Sequence, residues 1–267
     1  MSFARSVAVS VLLLLCFTVL AQAQAQSKPP QFIQVTTVTV EPSGVNDYED
    51  YLKKQIAARE KTPGAQATTV YGVTLGGPGF TYMIVTPFEK WADRERFPNN
   101  LQMLTKVYGQ AEANRLIKAQ RDAIDDQETE VYAYQPNSST NPKVFDPPAP
   151  FVNVQWTEVR PEMNAAYQEY LQKQKIAQEK AKFPFTVVRR NNANGTGFTS
   201  TTGTFYTKLG DRDLQITPSN AEMFRQAFGE AEATRLLAIP NQSIRNRRTT
   251  FLTYRADLSR PRAATSN

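Results

Sequence analysis

Histidine is missing from all 267 residues, and cysteine occurs once, at Cys16. Cys16 lies within an apolar run from Val7 to Leu20, preceded by Arg5 and followed by Ala21-Gln-Ala23-Gln-Ala25. A positive start, a short apolar stretch and small residues at an A-x-A site predict a secretory signal peptide over residues 1–25, cut after Ala23 or Ala25. The run is shorter than the ~20 apolar residues of a membrane span. Leu15, ahead of Cys16, is too large for a lipoprotein cleavage site. The mature chain is therefore expected to lack both residue types. That excludes disulfides, thiol nucleophiles, histidine acid–base catalysis, zinc sites of the usual ligand set and haem held by His or Cys. No P-loop, dinucleotide fingerprint or serine-nucleophile elbow is present either. No cofactor and no metal are expected. Beyond the leader no stretch is apolar enough to span a bilayer, so the expectation is a soluble exported protein, periplasmic or secreted.

Charge is present but unevenly spread. Residues 27–146 carry 13 Lys+Arg against 15 Asp+Glu, whereas residues 147–267 carry 17 against 10. Both are ordinary folded compositions, so the basic excess of the second half speaks to partners rather than fold.

The strongest pattern is a repeat. Tyr48-Glu-Asp-Tyr51-Leu52-Lys-Lys54-Gln55 returns 119 residues later as Tyr167-Gln-Glu-Tyr170-Leu171-Gln-Lys173-Gln174. Gly109-Gln-Ala111-Glu112-Ala113-Asn-Arg115-Leu116 returns after 120 as Gly229-Glu-Ala231-Glu232-Ala233-Thr-Arg235-Leu236. Two blocks in one order at nearly one shift imply an internal duplication. Val/Ile/Thr-rich runs and helical stripes then predict the same succession twice. The first copy reads as strand 32–40, helix 45–61, strands 67–75 and 80–87, a helical segment 99–124 broken at Gly109, and strand 128–134. The second reads as strand 151–159, helix 163–181, strands 185–190 and 198–208, a helical segment 220–237 and strand 249–254. This is the split β-α-β-β-α-β motif. Units of 26–135 and 151–255 are expected, joined by a Pro-rich linker at 136–150 and trailed by a disordered tail at 256–267.

Strands such as Phe32–Val40 and Thr249–Tyr254 are apolar on both alternating sets, so neither sheet face is fully wet. Two stretches carry a likeness to a family: Val40-Glu-Pro42-Ser-Gly44 before Tyr48-Glu-Asp-Tyr51-Leu52, and Val85-Thr-Pro87-Phe88-Glu-Lys-Trp91. With them the chain resembles the dimeric α/β-barrel superfamily, in particular its NIPSNAP-like and antibiotic-biosynthesis-monooxygenase-like branches. The resemblance implies an α+β fold in which two tandem ferredoxin-like units pack sheet to sheet around a central cavity, here within one molecule. Haem-degrading and chlorite-dismuting members of that superfamily rely on a histidine, so their chemistry does not carry over. The second unit also has no counterpart of Trp91, which points to a degenerate half-cavity.

Gln34, Thr36, Asn153 and Gln155 are candidate ligand hydrogen-bonders if their strand set faces the cavity, or solvated edge residues if it does not. Trp156, on the other set, reads as core. Arg189 and Arg190 end one strand, and Arg245, Arg247 and Arg248 precede another. Arg189 and Arg248 are candidate grips for an anion, against a basic rim open to solvent. Asp125, Asp126, Glu128 and Glu130 lack calcium-loop spacing and read as an exposed junction. Nucleic acid is not expected as a partner, and self-association is compatible with the pattern. The sequence thus favours a non-catalytic exported binder of a small, anionic molecule, or an interaction scaffold. The rival is a cofactor-independent monooxygenase or isomerase working with Tyr, Trp, Asn or Arg in the cavity.

Overall fold

The computed structural model of the protein describes residues 28–195, 199–214 and 216–261. The signal peptide expected at residues 1–25 and the tail beyond Pro261 lie outside the described residues. The first half runs β1 (Phe32–Val40), α1 (Val45–Glu60), β2 (Thr69–Leu75), β3 (Thr81–Phe88), α2 (Asn100–Tyr108), α3 (Gln110–Ala123) and β4 (Ile124–Tyr134). The second runs β5 (Phe151–Val159), α4 (Asn164–Lys180), β6 (Thr186–Asn194), β7 (Ser200–Tyr206), α5 (Asn220–Phe228), α6 (Glu230–Ser243) and β8 (Ile244–Tyr254).

All eight strands close into one antiparallel barrel in the order β1-β3-β2-β8-β5-β7-β6-β4. The two halves meet at two hydrogen-bonded seams, β2 with β8 and β4 with β6. No sheet edge is left open, which removes the hazard an unpaired strand presents. The fold is α+β, a closed eight-stranded barrel clad by helices. The two sheets are therefore continuous with each other and do not merely stack.

Strand alternation builds three cores. Val38 and Val40 point outward under α1, α2 and α3, where they meet Tyr48, Leu52, Leu104 and Leu116. Val159, Tyr167, Phe224 and Leu236 form the matching layer of the second half. The opposite strand sets enclose Val35, Tyr71, Met83, Tyr132, Val152, Trp156 and Leu252 inside the barrel. This is why both faces of the strands are apolar in sequence.

Gly109 separates α2 from α3 with φ of 83°, and Gly229 separates α5 from α6 with φ of 84°. An L-residue pays for that left-handed region, and glycine does not. A Cβ at Gly109 would meet nothing within 4 Å, so its cost is purely conformational. Gly109→Ala is expected to lose about 1–2 kcal/mol, measured by urea denaturation.

Several expectations are corrected. β4 and β8 begin at Ile124 and Ile244, ahead of the predicted 128 and 249. After a half-buried isoleucine the next five residues of each are polar or charged and exposed, and pairing with β1 and β5, not burial, makes them strands. The helix predicted to stop at 237 continues to Ser243, because Pro240 sits in its last turn and forfeits a single backbone bond. The 136–150 segment is no passive spacer. Thr140 exchanges backbone bonds of 2.9 Å with Val187, and its Oγ1 donates to Gln178 Oε1 at 2.7 Å. The tail docks as far as Pro261: Leu258 is fully buried in the first core and Arg260 pairs with Thr68.

Arg255 clamps that tail, reaching Glu49 at 2.7 Å and Asp257 at 2.8 Å. Its hydrogen bonds hold both carboxyls below their ordinary range. A carboxyl depressed on folding stabilises above its unfolded value, about pH 4, and that gain is lost as pH falls through the folded value. Arg255→Ala is therefore expected to cost about 1 kcal/mol at pH 7, discounted for its solvent contact, and less at pH 3. Urea melts at the two pH values measure the difference.

Candidate functional site

The barrel encloses a cavity of about 610 Å³. Its mouth lies at the end where β1 and β5 begin, ringed by Lys28, Glu89, Lys143, Asp146 and Pro261. The segment expected as a linker supplies part of that rim. The walls are mainly aliphatic and aromatic, with Tyr71 against Tyr254 and Phe205 stacked on Phe145 at 5.3 Å. Tyr132 and Trp156, 5.7 Å apart, close the floor.

Few polar atoms interrupt this surface. Trp156 is 3% exposed, and its Nε1–H has no hydrogen-bond partner among the described residues. The Tyr132 hydroxyl donates to Glu130 Oε2 at 2.5 Å, and Glu130 Oε1 accepts from Asn192 Nδ2 at 2.9 Å. Burial first, and then Glu130, push the Tyr132 phenol well above its ordinary pKa. The Tyr71 phenol is likewise raised, chiefly by burial. Arg190 enters from β6, 6% exposed, with Nη1 donating to Pro30 O at 3.0 Å and the guanidinium 5.5 Å from the Tyr134 ring. Burial lowers its pKa to about 10, against the opposing charges of Tyr134 and Glu89.

The polar residues singled out in the sequence fall elsewhere. Gln34 and Thr36 share the outward set with Val38, while Ile33 and Val35 take the interior. Asn153 and Gln155 alternate in the same way with Val152, Val154 and Trp156. Thr36 Oγ1 lies 3.0 Å from Thr129 Oγ1, and Gln155 Nε2 donates to Thr157 Oγ1 at 3.3 Å. Arg189 turns away from the cavity, donating to Ser138 O and, at 2.6 Å, to Gln174 Oε1. It braces the 136–150 segment. Arg248 pairs in register with Trp156 and lies 5.5 Å from its ring, at the far end of the barrel below the floor. None of the six lines the cavity. The five arginines do not converge, and Arg245 is held by Glu158 at 3.3 Å.

Other residues line it. Trp156 is core, as its strand set implies, and lines the cavity as well; Tyr71 and Tyr132 carry no signal in the sequence, and Arg190 rather than Arg189 reaches the cavity. Glu130, placed in an exposed junction, is buried because its parity on β4 matches Tyr132. Trp91 packs at a tilt against Phe32 and edge-on to Phe88 on the outer face, so its absence from the second half leaves the cavity untouched.

An iron porphyrin does not fit these donors. The chain has no histidine, and Cys16 lies outside the described residues. Tyr132 is committed to Glu130, and burial opposes the phenolate that Tyr71 would need to supply. Met83 is a haem ligand of the kind that works opposite a histidine. Among the described residues no group of three or more His, Cys, Asp or Glu could hold a metal ion.

No protein-family model matches the chain, and no curated protein matches its sequence. Solved structures do match over nearly the whole described chain. An anthrone oxidase-like protein superposes with a TM-score of 0.53 at 9% identity, covering 88% of this chain and 96% of that one. A mutant chlorite dismutase from Candidatus Nitrospira defluvii gives 0.51 at 9%, covering 87% and 94%. A "Putative monooxygenase" from Fusobacterium nucleatum gives 0.50 at 12%, covering 85% and 93%. The comparison reverses the order of the functional expectations: proteins that share this fold end to end bear the names of enzymes, and the non-catalytic scaffold gives way to the monooxygenase alternative. At these identities the likeness is one of architecture, and the chain has the dimeric α+β-barrel fold.

Proposed function

We propose that the protein is an exported, oxygen-consuming enzyme that acts on a ring-bearing substrate inside the barrel, following the monooxygenase-like rather than the NIPSNAP-like branch. The observation that carries this reading is a largely apolar cavity, open at one end of the barrel, whose floor ends in a buried pair, Tyr132 donating to Glu130. Anthrone oxidase-like and monooxygenase neighbours support it at the level of fold. The fused halves are two copies of one ancestral unit, a reading supported by the repeat and by the twin glycine breaks at Gly109 and Gly229. The sequence pattern of residues 1–25, a positive start, a short apolar run and an A-x-A site, supports export.

The chemistry needs no bound group when the substrate is the reductant. A methylene held between aromatic rings opposite a carbonyl gives up a proton to Tyr132 Oη as Tyr132 passes its own to Glu130. The resulting carbanion transfers electrons to dioxygen and forms a carbon–oxygen bond. The oxygen–oxygen bond then breaks, the carbon becomes a ketone, and the second oxygen leaves as water with the two methylene hydrogens. Carbon loses four electrons and dioxygen gains four. The protein's share is a dry site, which keeps the carbanion from reprotonation, and a relay aimed at the floor.

An oxygen electrode tests this with anthrone and hydroxynaphthalenes as probes. One dioxygen consumed per ketone formed is the expected stoichiometry. Folded protein that leaves oxygen uptake at the buffer rate across the panel would sink the proposal.

A further inference from the structure

A guanidinium taken out of water without an anion is costly, and such groups persist where something binds them. Arg190 is close to that position, the one carboxylate whose charge reaches it being Glu89 at the cavity rim. It lines the cavity at 6% exposure, makes one hydrogen bond, to Pro30 O, and has no ion pair among the described residues. Arg189 beside it is equally buried, but its two terminal nitrogens are taken by Ser138 and Gln174, and its Nε alone has no partner among the described residues. The remaining N–H groups of Arg190 therefore serve the cavity.

A second unused donor lies beside the same space: Trp156 lines the cavity, and its buried Nε1–H has no partner among the described residues. Trp156 pairs in register with Thr201, and Thr201 with Arg190. Indole and guanidinium thus leave one row of the barrel wall two strands apart, roughly 10 Å between backbones. Between them the surface is apolar and aromatic. The mouth carries Lys28 and Lys143 against Glu89 and Asp146, so its charge is balanced and selection falls on Arg190.

We infer that the cavity takes an organic monoanion: a flat ring system whose carboxylate or enolate is gripped by Arg190 and whose second oxygen accepts from Trp156 Nε1–H. This deepens the proposed function, on whose choice of cavity it rests, by naming the substrate class. A planar guanidinium fork matches a carboxylate through two parallel hydrogen bonds. The single arginine and the confined apolar walls favour one charge over the several of a phosphate ester.

The probes are 1-hydroxy-2-naphthoate and 1-naphthol, the same ring with and without the carboxylate, titrated by calorimetry. The naphthoate is expected to bind about 10- to 100-fold more tightly, the worth of one charge-assisted pair. In a Trp91→Phe background Trp156 is the sole indole of the two in the chain, and naphthoate is expected to quench it. Arg190→Met is expected to erase the preference and leave 1-naphthol binding within about threefold. Trp156→Phe is expected to weaken both ligands several-fold and retain the preference. Equal affinities in the wild type would overturn the inference, as would a preference that survives in a natively melting Arg190→Met. Should that variant not fold, the wild-type comparison decides alone. Naphthoate preference without oxygen uptake would leave this inference standing and remove the oxygenase; uptake on neutral anthrone without any anion preference would do the reverse.

Discussion

Phe224→Ala is expected to cost about 3–5 kcal/mol and to lower a single unfolding transition shared by both halves. Phe224 is fully buried on α5, stacked on Tyr170 at 5.5 Å with the rings 4° from parallel, and tilted against Phe228. Truncation leaves a hole among aromatic rings that cannot close by rotating. The matching position of the first half is Leu104, also fully buried, and Leu104→Ala should cost about 2–5 kcal/mol. The two helical cores do not touch, so additive, independent unfolding is the rival outcome. The barrel opposes it. Its interior cluster mixes Val35, Tyr71, Met83 and Tyr132 with Val152, Trp156 and Leu252, and both seams are hydrogen-bonded. Opening one half exposes the other's inner face. Guanidinium melts followed by far-ultraviolet dichroism and by tryptophan fluorescence should coincide for both variants. Two separated transitions would show that each half stands alone.

Much of the architecture was legible because it rests on backbone rules. The break at Gly109 was readable from a glycine kept at one place in two copies of a helix, and φ of 83° supplies the reason. Strands apolar on both sides announced a covered second face. What could not be read was which side faces inward. Polar residues such as Gln34 and Asn153 suggested a ligand surface, yet they stand near the starts of β1 and β5, beyond the helices that cover Val38 and Val40 further along. That stretch of outer surface is wet, and polarity there is solvation. The docking of Leu258 and Thr140 was also hidden, since single anchors in an aperiodic segment leave no pattern.

The site was less legible than the fold for a related reason. A barrel interior draws residues from eight strands, so its members are scattered and no spacing unites them. Two signals were nonetheless present. Arg190 shares strand parity with Val188, both inward, and Glu130 shares it with Tyr132. The absence of histidine argued against catalysis only so long as the protein was asked to supply the reactive group. Oxygenation driven by an acidic substrate asks for a dry pocket and a route for one proton, and Tyr, Glu, Trp and Arg suffice.

Tyr132→Phe tests that route. The substitution keeps the ring that packs on Trp156 at 5.7 Å and removes the hydroxyl that donates to Glu130. With the floor's shape preserved, kcat is expected to fall about 100-fold, the lower range for general acid–base catalysis, while KM stays within about threefold. Glu130→Gln should match the loss in kcat, since an amide keeps contact with the phenol but takes up no proton. The two changes act on one relay, so the double variant should be little worse than either single one. A purely structural role would instead move KM and the melting temperature together. Burial and the bond to Glu130 hold the phenol protonated, so the wild-type rate should not rise as pH passes about 10, where a free tyrosine ionises. A rate that climbs there would mean that phenolate is the working base and Glu130 a bystander. A Phe variant with wild-type kcat would remove Tyr132 from the chemistry altogether.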